Sequence, residues 1–537
     1  MKKSWLIVAA LCGCTSAYAG GYFTNSNQNA SFLRMMAQEG LIDITSLYAN
    51  PAGVAFLSPG FHLSLNLQNT AQNRDIKSTF SAFKDGRFNN EQSTKKFHGY
   101  AAAPVVPSFQ AAYNTGRWSL QAGFAFVGGG GKLTFEEGLG SFECQAALLS
   151  LLGNGLITGY SIDSYMKGSS YIYGLQLGAA YKVNDRVSVS LGGRVVHVSN
   201  NYQGYVKNIQ VETALQPGVY AAPGDWSLQY GAAAERCMAQ AVAAQNAGDV
   251  ATAQQLQEQA RNLRDAAYKM GVMNIATQDV SLNCDQKTWG FTPIIGVDWR
   301  INDQWNVAAK YEFRTNIEFK NKAWSTPSCD KLPPLDKFKD GAKVREDIPA
   351  ILAAGVQYKP MEALRLGLSG KIYFDRQAKQ FADNQKNLTH NSWEVDLSAE
   401  YDITSRLTAS ASWQNTNYYP NDTFMKDMNF SLSSNAVGLG VRYAFSDRVS
   451  VDLGYMLNFY KSRDKVTNDY NGVSATATQV LGGLATGTMT PGTPEYTAAL
   501  QQVAASVEQM KQAGLFAGTD HFSRTNYVLG VGVNLKF

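Results

Sequence analysis

The residues best suited to metal binding or proton transfer in this chain are five histidines, His62, His98, His197, His390 and His521. None stands at a metal-ligand or catalytic-triad spacing from another such group. The six cysteines include no Cys-x-x-Cys pair, the arrangement a zinc site would need. Gly128-Gly129-Gly130-Gly131-Lys132 has the glycines of a phosphate loop, but no Ser or Thr follows the lysine and Leu133-Thr134-Phe135 does not open a helix. No metal, cofactor or enzymatic activity is expected, and a hydrolase finds no supporting constellation.

The chemistry that remains is charge held inside a wall. Read with period two, several stretches place Arg194, Lys310, Glu312, Arg314, Lys371, Asp375, Glu394, Asp396, Glu400, Arg442 and Asp452 on one face. The opposite face is apolar: Val449, Val451, Leu453, Tyr455, Leu457 and Phe459 in one stretch, Val437, Leu439, Val441, Tyr443 and Phe445 in another, Trp393, Val395, Leu397 and Tyr401 in a third. The chain closes in the same way, with Tyr527, Leu529, Val531, Val533, Leu535 and Phe537 alternating with small or polar residues. Strands greasy outside and wet inside are those of a membrane barrel. Charges of both signs on the wet side are expected to pair with each other, with water or with a plug, because an unpaired buried charge is costly.

The elements that must position these faces can be counted. Six short turn sequences lie between alternating runs: Asn114-Thr115-Gly116, Val183-Asn184-Asp185, Ile301-Asn302-Asp303-Gln304, Lys359-Pro360-Met361-Glu362, Ile403-Thr404-Ser405 and Ser446-Asp447. Each predicts a tight hairpin. With a first strand near Gly60–Asn73 and a last near Arg524–Phe537, the count is fourteen, and an even count suits a bacterial barrel with short turns on the periplasmic side. The fold class is therefore all-β: a fourteen-stranded antiparallel transmembrane barrel spanning residues 60–537. Helical insertions are expected in two external loops. One is a hairpin near 228–272, over Ala232–Gln245 and Val250–Met270, with Asp249 as a cap and Gly271 as a stop. The other, near 493–514, has Thr493 as its cap, Pro494 in its first position and Gly514 after its end.

Composition agrees with a barrel. Aromatic residues are 12% of the chain and glycines number 48, yet mean hydropathy is −0.23, as expected where only alternate residues meet lipid. The formal charge of +4 leaves no nucleic-acid footprint. Lys2-Lys3, the apolar run Trp5–Leu11 and Ala17-Tyr18-Ala19 read as a signal peptide over residues 1–19; a lipoprotein box at Leu11-Cys12-Gly13-Cys14 is the alternative. The even set Cys144, Cys237, Cys284 and Cys329, all expected in external loops, predicts that Cys237 is oxidised to one of the other three in an exported chain, with three connectivities open.

Residues 20–59 do not alternate. A fourteen-strand barrel is wider than the eight-strand kind that side chains fill, so something must occupy the lumen. This segment is the candidate of suitable size, beside infolded loops. A hydrophobic ligand would need an apolar site within the polar pore. Val196, Val198, Tyr373, Met456 and Tyr460, where the inward phase turns less polar, are the expected ligand-lining residues; packing against the plug is the other use for each.

With Gly20-Gly21-Tyr22-Phe23 at the start of the mature chain, Asn50-Pro51-Ala52 just before the first strand, fourteen strands and a terminal Phe537, the chain resembles the FadL/TodX family of outer-membrane channels for long-chain fatty acids and other hydrophobic compounds. The resemblance covers the whole chain in architecture and carries a motif only in the N-terminal segment. It implies that residues 20–59 form a hatch, with Asn50, Pro51 and Ala52 as the hatch motif, where the other reading is an Asn-Pro turn that stops a helix. It implies a kink in the third strand that opens the wall sideways, which would place a lateral opening at Gly128, Gly129, Gly130 and Gly131; a flexible start to an external loop is the alternative there. The implied function is passive uptake of hydrophobic compounds, most of all fatty acids, by a monomer in the outer membrane of a Gram-negative bacterium, with a hydrophobic small molecule and outer-membrane lipid as its partners. The alternative is a receptor or adhesin that displays its large loops. The helical insertions are larger than the family leads one to expect.

Overall fold

A computed structural model describes residues 22–326 and 333–537. Residues 1–19, the expected signal peptide, and Cys329 lie outside the described residues. Fourteen long strands alternate in burial along their length, and each pairs antiparallel with the next. They are β1 (Gly60–Phe80), β2 (Thr94–Asn114), β3 (Trp118–Phe135), β4 (Ile157–Lys182), β5 (Val187–Thr213), β6 (Val280–Arg300) and β7 (Trp305–Glu312). The second half comprises β8 (Ile351–Met361), β9 (Leu364–Tyr373), β10 (Ser392–Asp402), β11 (Leu407–Asn417), β12 (Ser434–Ser446), β13 (Val449–Tyr460) and β14 (Gly518–Lys536). Pairing of β1 with β14, from His62–Lys536 to Phe80–Gly518, closes the barrel. Closure leaves no free edge, which is what lets strands cross a bilayer. Five of the six expected turns join strand partners at one end of the barrel where expected, and the sixth lies later than Lys359-Pro360-Met361-Glu362, at Glu362-Ala363, because β8 runs on to Met361. No helix is long and apolar enough to cross a membrane among the described residues.

The outward face is apolar around the barrel. Leu65, Leu67, Leu120, Leu177, Leu191, Phe291, Leu397, Leu439, Leu453 and Leu529 all stand exposed on it. Large apolar side chains in that position are stable only against lipid.

The wall is taller on one side. The first six strands and β14 run well beyond their partners β7–β13, so the first and last strands exceed the sequence-based spans. The projecting ends carry a cap of five helices: α1 (Gly140–Leu152), the hairpin α2 (Pro223–Asn246) and α3 (Val250–Ala276), then α4 (Val473–Thr486) and α5 (Pro494–Gln512). Asp249 accepts a hydrogen bond from the Thr252 amide and Thr493 from the Tyr496 amide, so both expected caps are in place. Gly271 does not end α3; the helix runs through it to Ala276, where Met270 and Met273 on one stripe still have a core to bury against. That core joins Phe80, Phe97 and Phe135 at the strand ends to Leu148, Trp226, Val480 and Phe516 from the cap. The helix α1 escapes period-based reading because nearly every residue of Gly140–Leu152 is buried, leaving no polar face to mark a 3.6-residue period.

Among the described residues no cross-link joins Cys237 to Cys144 or Cys284. Cys144, Cys237 and Cys284 are free thiols. Cys144 is buried inside α1, Cys237 is half-buried on α2, and Cys284 belongs to strand β6 rather than to a loop. The sulfurs of Cys144 and Cys284 serve as small core side chains, and burial pushes the Cys144 thiol pKa up, away from the reactive thiolate.

Candidate functional site: the lumen, its chamber and a gap in the wall

Residues 22–59 lie against the inner face of the wall, almost all of them buried, in turns and two short 3-10 segments, Ile44–Ser46 and Gly53–Phe56. Their charges meet the inward charges of the strands. Arg34, 1% exposed, donates to Glu400 at 2.5 Å and to Asp452 at 2.8 Å. Glu39 pairs with Lys371 at 3.2 Å, and Lys371 also holds Glu394 and Asp396. Asp43 accepts from Arg442 at 2.7 Å. Tyr48 lies under Arg194 and Lys310, 4.4 and 4.3 Å from its ring centre, while those two cations share Glu312. Mixed luminal charge is thus neutralised in clusters that bind segment and wall together. Arg314 and Asp375 stand apart from these ladders. Arg314, just past the end of β7, donates to the Gln377 carbonyl, and Asp375 sits in a turn after β9, where it accepts from the Ser392 amide.

The Asn50-Pro51-Ala52 turn touches three strands. The Asn50 amide donates to Asp298 of β6 at 2.5 Å and to the Leu41 carbonyl at 3.2 Å, and its oxygen accepts from the Gly53 amide at 2.9 Å. The Pro51 carbonyl accepts from Gln121 of β3 and the Ala52 carbonyl from Ser188 of β5, each at 2.7 Å. Proline fixes its own backbone and restricts the residue before it, so the corner is rigid. Asn50→Ala should loosen it by roughly 2 kcal/mol, the worth of a hydrogen bond to a charged group. Hydrogen exchange over residues 41–53 should speed up accordingly; unchanged protection would show that the turn is held by other contacts.

One place in the wall is not laddered. Strands β2 and β3 pair from Gly99–Phe135 to Ala101–Leu133 and again from Phe109–Phe124 to Asn114–Ser119. Between these stretches, residues 102–108 and 125–132 make no ladder with each other. Two causes are visible. On β2, Pro104 and Pro107 have no amide hydrogen to donate. On β3, Gly129 and Gly131 have φ of +91° and +68°, which produces bulges against β4 around Gly128–Gly131. Strand β3 therefore continues through the glycines to Phe135, and the glycines are not the start of a loop. The carbonyls of Phe126 and Val127 accept from Asn25 of the luminal segment, at 3.1 and 2.9 Å. A Cβ on Gly128 would lie 2.1 Å from the Phe23 carbonyl, so only glycine allows the segment to approach so closely.

Above the segment and under the cap is a cavity of about 350 Å³. Its apolar lining comes from Ile172 of β4, Val198 of β5, Ile317, Phe319 and Ile348 from the connection between β7 and β8, and Phe381 from that between β9 and β10. Lys426 and the Lys337–Glu346 ion pair supply charge at its margin. Phe23 lines the cavity on the side of the gap. Val127, Ile172, Val196, Val198, Ile317 and Phe319 belong to one apolar cluster that runs from the cavity to the unladdered stretch of β3.

Of the five residues expected to line a ligand site, Val198 lines the cavity, and Val196 belongs to the apolar cluster beside it. Tyr373 lies deeper, beside Glu39 and Lys371. Met456 packs under Phe32, Leu33 and Met36 of the segment. Tyr460 lies under the Arg524 guanidinium at 4.3 Å. The residues that sequence reasoning missed come from connections between barrel strands: Ile317, Phe319 and Ile348 in or beside a small antiparallel ladder of Glu318–Lys320 with Lys343–Arg345, and Phe381 from a 3-10 turn. Only the short alternation Ile317-Glu318-Phe319 could have hinted at them.

A family model described as "Putative MetA-pathway of phenol degradation" matches residues 350–475, less than half of the chain. No curated protein matches it significantly. Among solved structures, a Pseudomonas aeruginosa FadL homologue is 12% identical, with 96% of this chain and 100% of that one covered and a TM-score of 0.57. The deltaS2S3 mutant of the TodX monoaromatic hydrocarbon channel is also 12% identical, covers 95% and 99%, and has a TM-score of 0.52. The chain has the fold of these FadL- and TodX-type barrels.

Proposed function

We propose that the protein is a passive outer-membrane channel for hydrophobic compounds, and that long-chain fatty acids are the class it takes up. The observation that carries the reading is the continuous apolar surface from the 350 Å³ cavity, past Phe23, to the gap between β2 and β3. A hydrophobic ligand taken up under the cap gains about 0.8 kcal/mol per buried CH₂ and would lose it by stepping into periplasmic water. Sideways exit through the gap, at Gly128–Gly131, delivers it to lipid instead. Residues 22–59 act as a hatch, and the Asn50-Pro51-Ala52 corner holds one hatch conformation until ligand favours another; ligand must bind the two conformations differently for this to work.

The charge at the cavity margin favours an acid over a neutral hydrocarbon. A carboxylate fits beside Lys426 while its tail lies against Val198, Phe319 and Ile348. Displacement of a fluorescent fatty acid from purified protein tests this. Val198→Asp should weaken fatty-acid binding by roughly a hundredfold, since it places a carboxylate in the apolar floor. Lys426→Ala should weaken it by roughly tenfold, the loss of one charge-assisted contact, with no effect on toluene. Binding that is indifferent to Val198→Asp in a folded barrel would remove the cavity from the account. Equal effects of Lys426→Ala on oleate and toluene would point to a neutral ligand.

A further inference from the structure

The outer face of the wall between β3 and β6 has a sharp boundary. On β4 it is apolar or aromatic from Tyr181 through Leu177, Leu175 and Tyr173 to Tyr171. That stretch rises about 33 Å along the strand, or about 25 Å along the membrane normal for a tilt near 40°, the height of a barrel's lipid belt. Its upper rim is an aromatic row across three strands. Tyr173 stacks beside His197, and His197 lies 4.4 Å from Trp289.

Immediately above this rim the outer face turns basic. Lys287 of β6 is opposite Ser199, which is opposite Tyr171. Lys132 of β3 is opposite Ser169, one step up the outer face of β4, and Lys167 of β4 is opposite Thr134, a further step up. Lys322, in a short strand paired to the outer end of β6, is opposite Asp285. Lys132, Lys287 and Lys322 are exposed and Lys167 is half-exposed. Among the described residues none of the four makes an ion pair with a carboxylate. The acids nearest in register are Asp285, which accepts from Asn201, and the exposed Glu136. At strand spacings near 4.8 Å, the four lysines cover roughly 20 Å of the circumference.

We propose that this patch binds the phosphate groups of a phosphorylated glycolipid in the outer leaflet. Height selects the partner: cations directly above a lipid belt stand at the level of the headgroups, where their long side chains reach anions that cannot diffuse away. Charge selects the phosphate, since a lysine ammonium is a compact partner for it. The aromatic row beneath supplies the interfacial ledge on which the lipid rests. The site lies next to the gap in the wall, because Lys132 ends the unladdered stretch of β3. A glycolipid held there is a fixed neighbour of the gap, whatever passes through it.

The test is native mass spectrometry of purified protein incubated with lipid A, with enzymatically dephosphorylated lipid A and with inorganic phosphate. Wild type should retain lipid A and release the dephosphorylated form. The quadruple variant Lys132→Gln, Lys167→Gln, Lys287→Gln, Lys322→Gln should retain lipid A roughly a hundredfold less, as four interfacial cations are removed. Inorganic phosphate alone should not be retained; if it binds as tightly as lipid A, the site is for a free anion and the glycolipid assignment falls. Equal retention by wild type and variant, or of phosphorylated and dephosphorylated lipid, overturns the proposal. Heat-modifiable mobility confirms the folded barrel. If the quadruple variant does not fold, the pair Lys167→Gln, Lys287→Gln makes the same comparison at roughly tenfold.

Discussion

Cells carrying Gly129→Val should take up a long-chain fatty acid at roughly one tenth of the wild-type rate or less, a change equivalent to about 1.4 kcal/mol. Gly129 has φ of +91°, and a Cβ there would lie 2.4 Å from the Ser170 carbonyl of β4. A β-branched residue does not hold that backbone conformation. The bulge must therefore relax toward a regular strand, whose amides and carbonyls are free to seek β2. The strain lost or added is on the order of 1–3 kcal/mol, little beside a barrel closed by fourteen paired strands, so the variant should still show heat-modifiable mobility. Surface binding of ligand should persist, because the cavity lies on the other side of Phe23. Normal uptake by a folded Gly129→Val barrel would move the exit away from the β2–β3 gap and favour transit past the hatch.

The second large effect is expected from Arg34→Ala. This guanidinium holds Glu400 and Asp452 together, and Arg365 and Arg442 remain as their other partners after it is removed. Breaking a buried ion pair by deleting one side costs about 3–5 kcal/mol when the charge left behind is unpaired, and here somewhat less because each carboxylate keeps a second arginine. That is enough to release the stretch around Phe32–Met36 from the wall at Met456 and Val528. The wild-type lumen should conduct ions poorly in a planar bilayer, and Arg34→Ala should give larger, longer openings. Conductance indistinguishable from wild type, with Arg34→Ala properly folded, would mean that residues 22–59 do not close the pore through this contact.

Strand positions were legible in the chain because one face of each strand meets lipid and the other meets water. Alternation at Val449–Phe459 or Tyr527–Phe537 has no other stable use, and tight turns such as Val183-Asn184-Asp185 end each run. Pairing of inward charges was legible too, though not which partners they take: Arg34 and Glu400 are brought together only by a fold that places the N-terminal segment inside the barrel. What sequence reasoning missed follows from burial without period. The apolar helix α1 has no polar face, and Ile317, Phe319 and Ile348 reach the cavity from a ladder too short to show a period. Gly128–Gly131 stand out in the sequence, whereas Pro104 and Pro107 gain meaning only from the pairing that sets them opposite, although a missing donor on β2 is as necessary to the gap as a bulge on β3. Tyr373, Met456 and Tyr460 stand away from the cavity because the inward phase says where a side chain points, not whether the segment or a cavity lies opposite.

Whether the protein transports is decided by uptake of radiolabelled oleate in a strain lacking the gene, with and without the wild-type protein restored. Saturable uptake should return with the wild-type protein and be competed by unlabelled fatty acid. Uptake that is the same in both strains, while the protein is present and folded in the outer membrane, would contradict transport and leave a barrel that displays its helical cap as a receptor or adhesin.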